Sequence, residues 1–355
     1  MKLSGKRIRR ILIVCLTAVC LVLLLCAGCV RNALQKNLRQ GGYTETWSAD
    51  DGRVLSGLSY GTAKANKYDL YLPKNLDPKA DAPLLLLIHG GSWTGGKRDE
   101  VAYDCKYYAK NGCITATMDY SLVSDKNDVT IKTMLDEITA CIAALKQRLA
   151  KEGCQAPKIA VGGFSAGGHL ALLYAYSRAS ESAIPVAFVF DKVGPVSFHK
   201  EFWGDRIAAM LIGYGAHIQV DPKKLDTPEM KAAADSLSPL HFIGPKSMPT
   251  VFAYGGKDDL VKPIHRDELA KALETHHVPN IRVDFPNSNH AMWDDPDSTA
   301  AFRKAVLLYC ETYMKPPPPQ DERKTDTAEP EEETKTAEQK DEEKQSDLKE
   351  KKAAE

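Results

Sequence analysis

Leu84-Leu85-Leu86-Leu87-Ile88 is the stretch that leaves this chain the fewest choices. These five aliphatic residues, between Pro83 and His89-Gly90-Gly91, have no polar side and are too short for a core helix. Such a run fits a strand buried on both faces, as in a parallel sheet covered by helices. Tyr68-Asp69-Leu70-Tyr71-Leu72 alternates as a strand and stops at Pro73. Ile114–Met118, Lys158–Gly162, Ala187–Phe190, Thr250–Tyr254 and Ile281–Phe285 read as further strands. Helical patterns lie between them, at Arg98–Lys110, Gly167–Ser177, Pro263–His276 and Thr299–Tyr313. Ile131, Met134, Leu135, Ile138, Ile142, Leu145 and Leu149 recur at helical steps of three and four, giving one apolar face. The alternation predicts an α/β fold, a mostly parallel twisted sheet with helices on both faces. It fails between Phe198 and Phe242, so a small cap insertion at 198–242 is expected over the carboxyl edge of the sheet, where ligands bind.

The two ends read differently from this domain, which is placed at 43–314. Residues 1–29 carry Lys2, Lys6, Arg7, Arg9 and Arg10, then an unbroken apolar run from Ile11 to Ala27. That order is the pattern of an export signal. The run ends in Cys26-Ala27-Gly28-Cys29, which resembles a bacterial lipobox with Cys29 as the lipid attachment site. Cys26 stands where leucine is usual and the run is long, so an uncleaved membrane anchor and a simple cleaved signal stay open beside the lipoprotein. All three predict an extracytoplasmic location, because the basic flank stays inside. Residues 30–42 would be a linker. From 315 to 355 the chain runs Pro316 to Pro319 and then mainly charged and polar residues, with Leu348 the one large aliphatic. Such a segment cannot bury enough apolar surface to offset its chain entropy, so a disordered charged tail is expected.

Lysine plus arginine and aspartate plus glutamate both number 47, so the chain lacks the basic footprint of a nucleic-acid binder. Cys105, Cys113, Cys141, Cys154 and Cys310 lie in the domain at irregular spacings. They imply neither a disulfide framework nor a zinc site; buried free thiols are expected, with one disulfide open.

Gly163-Phe164-Ser165-Ala166-Gly167-Gly168 falls between a predicted strand and a predicted helix. A G-x-S-x-G sequence in that setting makes a turn so sharp that only small residues fit two positions either side of the serine. The serine hydroxyl is left exposed as a candidate nucleophile, and the Ala166 N–H faces a developing oxyanion at a helix start. His89-Gly90-Gly91-Ser92-Trp93 follows the buried strand. Gly91 and Ser92 are the candidates for the second oxyanion donor. His89 is expected to hold the turn by hydrogen bonds, and Trp93 to wall the substrate pocket or simply to pack. The overlapping Gly91-Ser92-Trp93-Thr94-Gly95-Gly96-Lys97 has P-loop spacing, but Arg98 stands where Mg²⁺ needs a serine or threonine.

A serine nucleophile needs an acid and a histidine later in the chain. Gly255-Gly256-Lys257-Asp258-Asp259-Leu260-Val261 follows one predicted strand and Asn287-Ser288-Asn289-His290 follows the last. His290 is the candidate base and Asp258 the candidate acid. Asp259 is expected to cap the following helix. His169, His265, His276 and His277 lie on or beside helices and read as packing or surface residues.

From about Tyr68 to Tyr313 the chain resembles the α/β-hydrolase superfamily, closest to its hormone-sensitive-lipase-like branch of feruloyl- and acetyl-esterase-like enzymes. The likeness rests on Tyr68-Asp69-Leu70-Tyr71-Leu72-Pro73, His89 to Trp93, Asp119-Tyr120-Ser121-Leu122, Gly163 to Leu170, Gly255 to Val261 and His290. Asp258 fits that family's glycine–acid–valine spacing and Asp259 does not. Ser121 departs from it, since arginine usually follows the tyrosine and supports the loop. The resemblance implies an α/β-hydrolase fold and hydrolysis of carboxylic esters through an acyl-enzyme, without metal or organic cofactor. The substrate would be a small-molecule or carbohydrate ester. An exported serine peptidase or amidase of the same fold, and an inactive hydrolase-like binding lipoprotein, remain as alternatives.

Overall fold

The computed structural model describes residues 45–76 and 81–315. The expected signal or anchor, the Cys29 attachment site, the linker and all but the first residue of the tail lie outside them.

Eight strands form one sheet in the order β1-β2-β4-β3-β5-β6-β7-β8. These are β1 Gly52–Ser59, β2 Lys67–Pro73, β3 Leu84–Ile88, β4 Ile114–Met118, β5 Ile159–Phe164, β6 Val186–Lys192, β7 Thr250–Gly255 and β8 Asn280–Phe285. The β1/β2 and β2/β4 pairs are antiparallel and every other pair is parallel. Every residue of β3, β4 and β7 is buried, so both faces of the middle of the sheet are covered. The register also agrees with the aliphatic run, with Leu84 to Ile88 opposite Ile114 to Met118 on one side and Ile159 to Gly163 on the other.

The eight described helices are α1 Ala102–Lys110, α2 Ile131–Lys151, α3 Ala166–Ser177, α4 Lys200–Trp203, α5 Asp205–Ala216, α6 Pro228–Ser236, α7 Ile264–Thr275 and α8 Pro296–Tyr309. All seven apolar residues of the predicted face of α2 are buried. Thr130 begins this helix with a reciprocal cap to Thr133.

Most boundaries shift by only a residue or two, but the structure departs further from the sequence expectation at three places. The edge strand β1 was not foreseen, because its residues are half-buried or exposed and its ladder is interrupted between Leu55 and Leu58. The stretch expected as one helix from Arg98 begins as a 3-10 turn, Arg98–Val101, before α1. Helix α8 starts three residues early, where Pro296 at its first position suits a helix start, and ends in a wider turn at Cys310–Met314. The 198–242 insertion folds as α4, α5 and α6 with short 3-10 turns at Pro222–Lys224 and Pro239–Phe242. All five cysteines of the domain are buried and free.

Candidate active site

The sharp turn between β5 and α3 is set by sterics. A Cβ on Gly163 would lie 2.3 Å from the Gly167 carbonyl carbon, and one on Gly167 would lie 2.1 Å from the Ile88 oxygen. No side chain fits at either place, so β5, β3 and the first turn of α3 approach backbone to backbone. Ser165 sits at the apex with φ 55° and ψ −121°, in the sparsely populated region that over-determined active-site turns hold. Its N–H donates to the Lys192 carbonyl at 2.8 Å and its carbonyl accepts from His169 N at 2.9 Å. The adjoining turn after β6 is also strained, with Val193 at φ 52°. Asp191 closes that turn by accepting the Gly194 N–H at 2.9 Å. Asp191 is fully buried beneath Gly168, and burial raises its pKa to about 7. Asp104 binds Lys192 (2.5 Å) and Arg303 (3.0 Å), joining α1, β6 and α8 through buried charges.

Ser165, His290 and Asp258 are brought into one chain of hydrogen bonds. His290 Nε2 lies 2.9 Å from Ser165 Oγ, and His290 Nδ1 lies 2.7 Å from Asp258 Oδ2. A carboxylate only accepts, so Nδ1 carries the proton and the Nε2 lone pair faces the serine hydroxyl. Asp258 is held by its own turn, since its Oδ1 accepts from the N–H groups of Leu260 and Val261, both at 2.9 Å. Asp259 is exposed and α7 begins after Pro263 without a side-chain cap, so the capping role expected of Asp259 is not present. The neighbouring Asp258 makes the turn bonds instead, as well as the contact to His290.

The His290 loop is braced by Asp295, which the sequence reading did not single out. Asp295 accepts from Asn287 N (3.0 Å), Asn287 Nδ2 (2.9 Å) and Ser288 Oγ (2.7 Å). Burial works to raise its pKa, but these bonds outweigh it and hold the carboxyl below its usual range. The one signal available was position, an acid immediately before a helix-starting proline.

Gly90, Gly91 and Ser92 line the cleft in front of Ser165. Ala166 is the first residue of α3, where backbone N–H groups have no intrahelical acceptor. Gly91 has φ 112°, and Ser92 (53°) and Trp93 (60°) are left-handed without being glycine, a strain of about 1–3 kcal/mol each. His89 does what was expected of it. Its Nδ1 bonds the Gly90 carbonyl at 2.7 Å, and its ring stacks on Tyr120 at 4.3 Å, whose hydroxyl donates to the His89 carbonyl. Burial lowers the His89 pKa, so the ring is a neutral brace.

Trp93 does not wall the substrate pocket. It is absent from the cleft wall and buried, its ring edge-on to His169 (5.1 Å) and Phe198 (5.4 Å). The aromatic wall comes instead from Phe164, Tyr103 and Trp293, with Val101 and Leu260, around a cleft of about 250 Å³. Ser121, where arginine is usual, is tied by its N–H (2.6 Å) and hydroxyl (2.5 Å) to Glu137. The support for this loop therefore comes from an acid on α2. Arg98, the residue that spoiled the P-loop spacing, pairs with Asp69 (3.0 Å) and Asp119 (2.5 Å). Among the described residues no cluster of His, Cys, Asp and Glu could hold a metal ion.

Residues 68–273, more than half of the chain, match the model of the BD-FAE family. The chain belongs to that family. Its fold is the α/β-hydrolase fold. It is 24% identical to the esterase LipQ of Mycobacterium tuberculosis (strain ATCC 25618 / H37Rv), over 66% of this chain and 56% of that protein. It is 27% identical to "Probable carboxylic ester hydrolase LipM" of the same organism, over 73% of this chain and 60% of that protein. The chain thus spans little more than half the length of these curated relatives. Among solved structures, esterase B from Lactobacillus rhamnosis is similar in fold, with a TM-score of 0.63 at 19% identity over 82% of this chain and 96% of that one. A truncated carbohydrate esterase from gut microbiota is similar too, with a TM-score of 0.62 at 16% identity over 75% of this chain and 99% of that one.

Proposed function

We propose that this BD-FAE chain is a carboxylic ester hydrolase working through an acyl-enzyme on Ser165. The observation that carries the reading is the continuous Ser165–His290–Asp258 relay at the floor of an apolar cleft. His290 Nε2 takes the Ser165 proton as Oγ attacks the ester carbonyl carbon. The carbonyl oxygen becomes an oxyanion facing the N–H of Ala166 and of Gly91 or Ser92. The carbon–oxygen bond then breaks, His290 gives its proton to the departing alkoxide, and water repeats the sequence to release the acid. Asp258 holds the imidazole tautomer and stabilises its charged form. The relatives named as esterases support this chemistry. A cleft of about 250 Å³ walled by aromatic rings suits a short or aryl acyl group. The alcohol is proposed to be a small molecule or a carbohydrate, the latter supported by the similarity in fold to a carbohydrate esterase.

The test is one panel of acetyl, butyryl and feruloyl esters with a prolyl amide, run on the wild type, Ser165→Ala and Asp258→Asn. Ester turnover should fall by about 10⁴-fold or more in both variants. Wild-type ester hydrolysis by Ser165→Ala would refute the nucleophile. Faster cleavage of the amide than of every ester would overturn the ester assignment in favour of an amidase.

We further propose that the enzyme works outside the cytoplasm, attached to the membrane through a lipid on Cys29. The support is the basic, apolar and small-residue order of residues 1–29. Mass spectrometry of the mature amino terminus in the native host should find lipidated Cys29, and an intact segment from Met1 to Gly28 would overturn lipidation.

A further inference from the structure

Trp93 and His169 were expected to do unrelated things, and they are bonded to each other. The Trp93 indole N–H donates to His169 Nδ1 at 3.3 Å. On the other side of the ring, His169 Nε2 lies 2.8 Å from the carbonyl of Leu237, the residue that ends cap helix α6. A carbonyl only accepts and an indole N–H only donates, so Nε2 carries the proton and Nδ1 is bare. Both ring nitrogens are therefore committed. The ring is fully buried and Phe198 stacks on it at 4.9 Å.

The location gives this contact its meaning. His169 is in the first turn of α3, where its own N–H binds the Ser165 carbonyl. Trp93 follows Ser92 in the strained loop that lines the cleft, and the Trp93 carbonyl accepts the Val123 N–H at 2.9 Å. Ala166 N–H and the Gly91–Ser92 N–H groups come from different segments, yet they must point at one oxygen to within a few tenths of an ångström. A side chain that rises from α3, the helix that follows the elbow at Ser165, and grips the loop supplies that common reference.

We propose that His169 is a positioning residue which, through Trp93, sets the oxyanion loop relative to the nucleophile turn. It does not touch the substrate. Its effect is on the transition state, because the N–H groups it aligns are needed only when charge develops on the carbonyl oxygen. The second bond, to Leu237, carries the position of the cap to the same ring.

This inference rests on Ser165 as nucleophile, and two substitutions of one residue separate it from that reading. Asparagine places an amide oxygen near where Nδ1 stood and can accept from Trp93. Glutamine reaches toward Leu237 but leaves the indole N–H without its acceptor. On a short acyl ester, His169→Gln should lower kcat by roughly tenfold with little change in KM, less than loss of an oxyanion donor itself would cost. Its affinity for a trifluoromethyl ketone, whose adduct places an oxyanion in the same position, should fall by a similar factor. His169→Asn should recover most of both. Trp93→Phe should match His169→Gln, and the double variant should lose no more than either single one, because both break the same bond. The proposal is overturned if Gln and Asn reduce kcat alike, if the loss is in KM alone, or if Trp93→Phe keeps wild-type kcat and inhibitor affinity. If Ser165→Ala retained ester turnover, the function itself would fail, a result independent of how His169 variants rank.

Discussion

The Ser165 turn and the 198–242 insertion meet at His169, yet they are held together on opposite terms. Around Ser165 the constraint is backbone against backbone. Gly163 meets Gly167, and Gly167 meets the Ile88 and His89 carbonyls, so the geometry admits no side chain and little movement. In the cap the constraint is side chain against side chain. At Gly215 of α5, a Cβ would lie 2.7 Å from a Leu237 methyl and 3.0 Å from an Ile131 methyl, both ends of flexible chains. The cap is otherwise joined to the domain by a few polar contacts, among them Trp203 Nε1 donating to the Ser197 carbonyl and Leu240 N donating to the Val196 carbonyl. A turn fixed by forbidden contacts has one solution, whereas an insertion fixed by packing and a few bonds can re-pack without losing the fold.

Alanine at the two glycines measures that difference, and the effect at the elbow should be the larger. In Gly167→Ala the new methyl would press on a central-strand carbonyl that cannot retreat. The expected outcome is loss of turnover together with a fall in melting temperature of more than about 10 °C, or no folded product. Gly215→Ala asks only two side chains to shift, an overpacking cost of about 1–3 kcal/mol. For a domain of this size that is a loss of about 2–10 °C in melting temperature. Thermal melts of the two proteins side by side decide it. Equal melting temperatures would mean that the elbow is as yielding as the cap.

The same division explains what could be read from the sequence. Leu84–Ile88 and the apolar face of α2 were legible because burial on both faces, or on one helical face, imposes a pattern on residue types. Ser165 and His290 were legible because a turn of small residues after a strand is a local rule. Asp258 came from the family's spacing, but the structural role given to Asp259 was wrong. The choice of which aspartate closes the turn depends on the Leu260 and Val261 N–H groups, and no pattern of residue types encodes it. Trp93 was misplaced for a related reason. A left-handed backbone at Ser92 and Trp93 turns the indole away from the cleft, and nothing in the residue names demands it. Asp295 escaped notice because its three bonds reach back seven or eight positions along the chain and follow from the fold. The cap contains only one α-helix longer than nine residues, and its place is set by tertiary contacts such as His169 to Leu237.

A smaller and slower test uses acid, because the titratable groups of the two regions respond to it with opposite sign. The cap joints contain His169, whose pKa burial lowers to about 4, and His265, which burial and His169 lower to about 3. His265 accepts the Val196 N–H at 3.1 Å and packs against Phe202 and Trp203 of α4. In the unfolded chain both imidazoles protonate near pH 6.5. The unfolded state therefore binds more protons below pH 6.5, and stability contributed by these joints is lost as pH falls toward 4. At pH 5 the loss is on the order of 2 kcal/mol for each. Asp191, under the elbow, is displaced the other way. Its folded pKa is about 7 and its unfolded value near 4, so between those values the folded state holds the extra proton and acid favours it. Lowering the pH from 7 to 5 should thus loosen the cap while leaving the elbow as firm or firmer. The two effects offset in a global melt, so wild-type melting temperature should drop by only a few degrees. Asp191→Asn, which removes the compensating group, should make the drop steeper. Hydrogen exchange corrected for its intrinsic pH dependence resolves the regions: protection should fall in α4, α5 and α6 and persist in β5 and α3. A uniform fall across both, with Asp191→Asn no steeper than wild type, would show that buried charge does not divide the molecule along this line.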